Sequence, residues 1–346
     1  MRHVVLPVPS FRRWTRAAKL WAAVVGTVAA LPALLVYVLM LRMPGRSFEG
    51  APPPLSAGQT ALRDRLRNDV SHLATEIGER NVGRPAALAR SADFVERELR
   101  LAGYEPQRQT YEVDGVSCAN IEAERTGSVL AREIIVVGAH YDSARGTPGA
   151  DDNATGAVAV LALARELSGR SWRRTVRFVE FVNEEPPYFF TPQMGSAVYA
   201  RRCADRNETI AAMISLESLG SFSDLPGSQK YPFPISLVYP DRGNFLAFVG
   251  NVASRDQVRD AVRAFREKAT VPSEGAALPE LTPGVGYSDH KPFWDMGYPA
   301  LMVTDTALFR NAEYHRRGDA VEKLDLERMT RVVSGLLHVV DRLAGG

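Results

Sequence analysis

Cysteine and histidine, which often build metal or redox sites, are scarce in this 346-residue chain. It contains two cysteines, Cys118 and Cys203, and six histidines. The cysteines lie far apart and show no Cys-x-x-Cys spacing, which argues against a thiolate zinc site. In an oxidising compartment they could form one disulfide, and their positions in the sequence leave that open.

A strong charge of one sign is also absent. The 42 basic and 40 acidic residues give a net charge of +2, so no broad positive field favours nucleic acid and we expect no nucleic-acid partner. Hydrophobic residues make up 45% of the chain and charged residues 24%, which is typical of a globular protein with a full core.

One long uncharged run stands near the N-terminus, over residues 20–41. As a helix rising ~1.5 Å per residue, it would span the ~30 Å hydrocarbon core of a membrane. Residues 1–19 are rich in arginine, which predicts a single-pass anchor with this basic end in the cytoplasm and the rest of the chain outside. A cleaved signal peptide is the alternative interpretation.

Residues 42–57 are rich in proline, glycine and serine and are predicted to be a linker to a domain over 58–346. In that domain, apolar spacing predicts helices at 59–76, 86–102, 154–167 and 326–343 and strands at 133–137, 175–182, 211–216 and 300–304. The alternation predicts an α/β domain with a largely parallel sheet, in which ligands bind beyond the carboxyl ends of the strands.

The first candidate functional residues follow the end of the first predicted strand. His140 and Asp142 stand two residues apart, and the run Gly-Ala-Asp-Asp-Asn that contains Asp152 follows before a helix. A histidine can bind zinc through one ring nitrogen while a nearby carboxylate orients the other. Asp152 and Asn153 could instead simply cap the helix, so this block alone leaves both interpretations open.

Three further blocks also lie near strand ends or in loops. Glu184 and Glu185 follow one strand and Glu217 ends another. Downstream come Tyr287-Ser-Asp289-His290 and Tyr314-His315-Arg-Arg-Gly-Asp319. Adjacent glutamates are usually a solvated turn, but at a strand end one can bind metal while its neighbour acts as a general base.

Taken in order, these blocks closely resemble those of the co-catalytic zinc aminopeptidase family, whose relatives include glutamate carboxypeptidase and the glutaminyl cyclases. The resemblance covers residues 59–343. It implies a three-layer α/β/α sandwich around a mixed, largely parallel sheet. It also implies two zinc ions per chain and a peptide substrate.

The resemblance also implies a role for each matching residue. One zinc would be bound by His140 and Glu217, the other by Glu185 and His315, and Asp152 would bridge them. The general base would be Glu184, acting on a metal-activated water, and Asp142 would orient His140. Support for the site floor or the substrate carbonyl would come from Tyr287, Asp289 and His290. Glu217 departs from the family pattern, in which aspartate is common at this position.

The function implied is that of a membrane-anchored zinc exopeptidase, an aminopeptidase, acting outside the cytoplasm. The alternatives are a single-zinc glutaminyl cyclase and a non-catalytic binding domain with the same fold. The aromatic segment 187–192 beside the glutamates either packs in the core or forms a wall of the first substrate pocket.

Overall fold

The computed structural model describes residues 19–21, 24–25 and 37–345, and the chain divides into two units after Arg42. In the first unit, Tyr37–Leu41 forms a single π-helical turn. Most of the predicted anchor over 20–41, and residues 1–18 before it, lie outside the described residues. Among the helices that are described, none is both long enough and apolar enough to cross a membrane.

The second unit is built on one mixed sheet of eight strands. These are β1 (Gln107–Val113), β2 (Val116–Arg125), β3 (Leu130–His140), β4 (Arg174–Phe181), β5 (Thr209–Glu217), β6 (Leu246–Asn251), β7 (Ser273–Leu278) and β8 (Ala300–Thr304). Their order is β1-β2-β4-β3-β5-β8-β6-β7. The central strands β4, β3, β5 and β8 run parallel, whereas β2 and β6 join them antiparallel. The predicted α/β fold is confirmed.

Eight helices belong to this unit of the described chain, apart from short 3₁₀ and π turns. They are α1 (Ala57–Ser71), α2 (Pro85–Leu101), α3 (Gly156–Leu167), α4 (Gly195–Asp205), α5 (Arg255–Lys268), α6 (Lys291–Asp295), α7 (Ala307–Arg310) and α8 (Leu326–Ala344). A π-helical turn, His72–Ile77, continues α1.

Helices cover both faces of the sheet because the strands alternate their side chains. In β3, Ile135 and Val137 belong to a large core with α1, α2, α3, α5 and α8, whereas Ile134 and Val136 belong to a smaller core with α4 and α6. The two cysteines lie on opposite faces: Cys118 packs in the large core and Cys203 in the small one. Both are free, so the disulfide is not formed.

The segment predicted as a linker, 42–57, contacts the folded unit from Met43 onward. Ser47 accepts the backbone N–H of Ser273 at 2.8 Å, and the carbonyl of Pro53 accepts from Arg331 at 2.6 Å. Its last residues start α1, where Ser56 and Gln59 form a reciprocal capping box.

Parallel central strands bring their carboxyl ends to one edge of the sheet. His140 is the last residue of β3 and Glu217 the last of β5, while Glu184 and Glu185 follow β4. The residues predicted from four separate blocks therefore start from neighbouring strands at one edge.

Candidate metal centre

An irregular turn, Ala150–Thr155, carries Asp152 into this edge. The turn begins at Gly149, whose φ of 59° is left-handed, and it ends against Gly156, where a Cβ would lie 2.2 Å from Asn153 Oδ1 and 2.3 Å from the Leu216 carbonyl oxygen. The peptide bond between Asp152 and Asn153 is cis. Asn153 donates to the Leu216 carbonyl at 2.8 Å and accepts from Gly156 N–H at 3.0 Å. This turn therefore joins β5 and α3 and does more than cap the helix.

Asp152 lies between two histidines that approach it from opposite sides. Its Oδ1 is 3.4 Å from His140 Nε2, and its Oδ2 is 3.0 Å from His315 Nε2. On the first side, Glu217 Oε2 lies 3.3 Å from His140 Nε2; on the second, Glu185 Oε2 lies 3.1 Å from His315 Nε2. Two donor clusters, His140–Asp152–Glu217 and Asp152–Glu185–His315, therefore share one carboxylate, and a third group, His140–Glu184–Glu185, overlaps both.

Asp142 connects His140 to the pair of glutamates. Its Oδ1 lies 3.4 Å from His140 Nδ1 and accepts the backbone N–H of Glu184 at 3.2 Å. Its other oxygen accepts the N–H of Glu185 at 3.3 Å. Glu184 Oε2 lies 3.8 Å from His140 Nε2, so Glu184 is next to the first cluster but is not one of its three donors. The structure thus brings together all seven residues predicted as ligands, base or orienter.

Several polar atoms of the two clusters are buried without a hydrogen-bond partner. They include both ring nitrogens of His140, Oδ2 of Asp152 and both carboxylate oxygens of Glu185. Buried polar groups are normally satisfied, and histidine nitrogens with carboxylate oxygens are donors that zinc accepts. The donor set therefore fits metal ions at both clusters.

The electrostatics also indicate a cation. Burial acts to lower the pKa of His140, but Glu184 and Glu217 outweigh it and hold that pKa well above its usual value. Burial and then repulsion from Asp152 raise the pKa of Glu185 to about 8, and burial raises that of Glu184 well above its usual value. Crowded carboxylates in a buried site shift in this way when no counter-charge compensates them.

Glu217, the ligand that departs from the family pattern, has donors of its own. Ser288 donates to Oε2 at 2.8 Å and Ser218 to Oε1 at 3.0 Å, and Ser215 is hydrogen-bonded to Ser288 at 2.9 Å. The longer glutamate side chain still reaches His140, and the two hydroxyl groups fix its carboxylate.

The three supporting residues lie in different surroundings. Tyr287 is 45% exposed, whereas Asp289 and His290 are fully buried. His290 Nε2 lies 2.8 Å from the Val285 carbonyl and its ring packs edge-on against Trp294. Burial lowers the pKa of His290 to about 4, so the ring is neutral and supports the segment from Val285 to Trp294 from inside the core.

Two residues that support the centre were not assigned by the sequence analysis. Arg80 is fully buried and donates to the carbonyls of Tyr141 at 2.6 Å and Gly149 at 2.7 Å. Asp319 accepts the backbone N–H groups of Asp151 at 2.8 Å and Asp152 at 3.1 Å. Asp319 is the last residue of the motif that contains His315, so this motif could have indicated its role. No sequence pattern around Arg80 indicates a role for that residue.

An apolar cavity of about 110 Å³ opens beside Glu217. Its walls include Tyr287, Tyr314, Phe248 and Met302. The aromatic segment 187–192, one candidate for a pocket wall, contributes nothing to this lining. Its Tyr188 is buried in the large core, whereas Phe190 is 56% exposed.

The chain is similar to proteins of one known family. The family described as Peptidase family M28 matches residues 120–340. The protein YfbL of Escherichia coli (strain K12) is 35% identical over 294 residues, which cover 82% of this chain and 90% of YfbL. Further curated relatives are 22–27% identical, and the chain spans about half of their length.

Two solved structures share the fold. A zinc aminopeptidase from Bacillus subtilis aligns with a TM-score of 0.65 at 14% identity, over 82% of this chain and 95% of that one. A glutaminyl cyclase from Fimbriiglobus ruber aligns with a TM-score of 0.61 at 20% identity, over 87% of this chain and 99% of that one. At such identities the likeness establishes the fold alone.

The family model covers more than half of the chain and includes all the predicted site residues. The predicted family, and with it the prediction of a peptidase, is therefore confirmed. The chain belongs to peptidase family M28.

Proposed function

We propose that this protein is an aminopeptidase that uses two zinc ions to remove N-terminal residues from peptides. The observation that carries the proposal is the position of Asp152, whose two oxygens face His140 and His315 at 3.4 and 3.0 Å. A carboxylate shared between two donor clusters suits a pair of ions. Glu217 with His140 would hold one ion, and Glu185 with His315 the other.

Zinc at these positions would supply Lewis acidity, lowering the pKa of water and polarising the peptide carbonyl. The chain's own base would be Glu184, which is buried beside His140 and close enough to accept the proton of the attacking water. The same carboxyl would then give that proton to the leaving amine. Asp142 would keep both partners in place, since it lies against His140 and accepts the backbone N–H of Glu184.

The apolar cavity supports cleavage next to the first residue of a peptide. It lies beside Glu217 and is small, with room for one apolar side chain. An N-terminal residue seated there would place its own carbonyl at the metal centre and leave the rest of the peptide at the mouth. Large apolar N-terminal residues such as leucine are therefore the expected substrates.

The proposed setting of this activity is outside the cytoplasm, on a membrane. The support is the uncharged run over 20–41 with its basic N-terminal flank. The folded unit begins at Met43, directly after that run.

The test uses the metal-loaded full-length chain with leucine p-nitroanilide as substrate. We expect Glu184→Gln to lower kcat by roughly 10²- to 10⁴-fold, because the proton acceptor is lost, while elemental analysis still finds about two zinc ions per chain. The matched control Glu105→Gln changes an exposed glutamate and should keep full activity. An active Glu184→Gln variant would contradict the proposal, and so would wild-type protein that binds no zinc.

A glutaminyl cyclase is distinguished from an aminopeptidase by its product. A peptide with N-terminal glutamine would lose ammonia and become cyclic without losing a residue. Mass spectrometry of the same peptide separates this outcome from release of free glutamine, which the proposed function expects.

A further inference from the structure

Three aromatic side chains form a cluster at the mouth of the apolar cavity. Phe189 and Phe190 are stacked with ring centroids 3.9 Å apart, and Tyr287 lies edge-on to them at 6.2 and 6.1 Å. We name this cluster the aromatic ledge. Because Tyr287 also lines the cavity that Glu217 borders, the ledge continues outward from the metal centre.

Core packing does not explain the ledge. Phe190 is 56% exposed and Tyr287 is 45% exposed. Phe190 also has a φ of 58°, a left-handed conformation that is unusual for a bulky residue. Strained backbone and exposed apolar rings persist where a site uses them, and both occur here together.

The ledge is fixed to the segment that carries Glu185. The N–H of Tyr188 donates to the Glu185 carbonyl at 3.0 Å, and the N–H of Thr191 donates to the Tyr188 carbonyl at 2.9 Å. The Tyr188 hydroxyl donates to Asp114 at 2.7 Å, which holds this turn against the β1–β2 hairpin. These hydrogen bonds tie the turn that carries Phe189 and Phe190 to the segment that follows β4.

A shallow groove of about 330 Å³ continues beyond Phe190. Met194, Pro292 and Met296 supply apolar parts of its lining. The ledge lies between the cavity and this groove, since Tyr287 lines the cavity and Phe190 lines the groove.

We propose that the ledge binds the second residue of the peptide substrate and selects an aromatic side chain there. This inference rests on the proposed aminopeptidase function. A first residue in the cavity leaves the second residue at its mouth, against Phe190 and Tyr287. Stacked and edge-on aromatic pairs gain binding free energy in addition to that from burying their area, and the ledge allows both arrangements.

The test compares leucine amide, Leu-Gly-Gly and Leu-Phe-Gly on the metal-loaded full-length protein. We expect kcat/KM for Leu-Phe-Gly to exceed that for Leu-Gly-Gly by about tenfold, mainly through KM, because the contact lies away from the reacting bond. In Phe190→Ala this ratio should fall to about two, and Phe190→Trp should restore it. Leu101→Ala, which trims an exposed side chain at the end of α2, should leave the ratio at about ten.

The outcomes separate the ledge from the function on which it rests. If the wild type hydrolyses leucine amide but shows no preference between the two tripeptides, the ledge proposal is wrong and the proposed function stands. A tenfold ratio that survives in both Phe190→Ala and Tyr287→Leu overturns it as well. Failure of the wild type to hydrolyse any of the three substrates contradicts the proposed function itself.

Discussion

Arg80 is a buried cation that binds carbonyl groups in a site dominated by carboxylates. Burial lowers the pKa of its guanidinium to about 10, while the charges of Asp142 and Asp319 oppose that shift. It donates to the carbonyl of Tyr141, which follows His140, and to the carbonyl of Gly149, which begins the turn that carries Asp152. One side chain therefore fixes the spacing of two segments and offsets part of their negative charge.

Replacing Arg80 by methionine keeps the length of the side chain and removes its donors and charge. We expect the free energy of unfolding to fall by about 3 kcal/mol or more, because buried carbonyl groups lose their partners. Urea denaturation of the metal-free protein measures this loss. Arg90→Met, which changes an exposed arginine on α2, should stay within about 0.5 kcal/mol of wild type. Equal stabilities of the two variants would show that Arg80 is not a structural cation.

The donors of the centre could be predicted from the sequence, whereas their supports could not. His140, Glu185 and Glu217 follow apolar runs that mark strand ends, and the order of their motifs carries the family resemblance. Arg80 contacts carbonyl groups, which every residue possesses, so no residue pattern indicates its partners. The contact between Ser288 and Glu217 could not be predicted, because it depends on how the end of β5 meets a distant loop.

At the scale of elements, the turn between β3 and α3 shows why a glycine closes the motif Gly-Ala-Asp-Asp-Asn-x-x-Gly. Gly156 begins α3 at the point where the end of β5 crosses the turn. Its missing side chain leaves room for the Asn153 amide, which joins the turn to the Leu216 carbonyl. The position of Asp152 between the two histidines depends on this close approach.

A methyl group at position 156 would prevent the close packing of Gly156 against Asn153 and Leu216. We expect Gly156→Ala to cost roughly 3 kcal/mol of stability and to weaken zinc binding, because its Cβ would lie 2.2 Å from Asn153 Oδ1. Thermal unfolding and zinc titration measure the two effects. Gly169→Ala is the matched control, since nothing lies within 4 Å of a Cβ at that position. A Gly156→Ala variant with the stability and zinc affinity of the control would exclude this role.

The elements nearest the centre were those that the sequence predicted. Strands β3, β4, β5 and β8 are buried and apolar, so their patterns are strong. The four outer strands were not predicted. The patterns of β1 and β7 are weak, since β1 alternates exposed and half-buried residues and β7 contains glycine and alanines, whereas β2 and β6 were missed although they are largely buried. Consequently the sequence suggested a more parallel sheet than the one found, which has antiparallel pairings on both sides of its centre.

At the scale of the whole molecule, the membrane anchor is still a prediction. The apolar run over 20–41 is long enough to span a bilayer, and it lies mainly outside the described residues. Two arginines placed near its middle would each cost about 2.5–3.5 kcal/mol of insertion free energy. Substitutions within this run therefore test whether the protein is anchored in a membrane.

We expect the full-length chain to stay with membranes after extraction at high pH and the Ala29→Arg/Ala33→Arg variant to become soluble. The matched variant Ala29→Leu/Ala33→Leu should remain in the membrane fraction, since leucine favours insertion. Protease added to intact cells or spheroplasts should digest the folded unit, because that unit is expected outside the cytoplasm. Wild-type protein found soluble with a shortened N-terminus would instead support a cleaved signal peptide.

The donor clusters are collected from distant parts of the chain. Asp319 holds the turn of Asp152 from 167 residues away, and His315 comes after β8 and before α8 in the sequence. Synthesis proceeds from the N-terminus, so a growing chain contains His140, Asp152 and Glu185 long before it contains His315. A chain cut short before residue 315 would lack the histidine donor of the cluster Asp152–Glu185–His315. The order of residues along the chain thus leaves the second donor cluster incomplete until residue 315 has been synthesised.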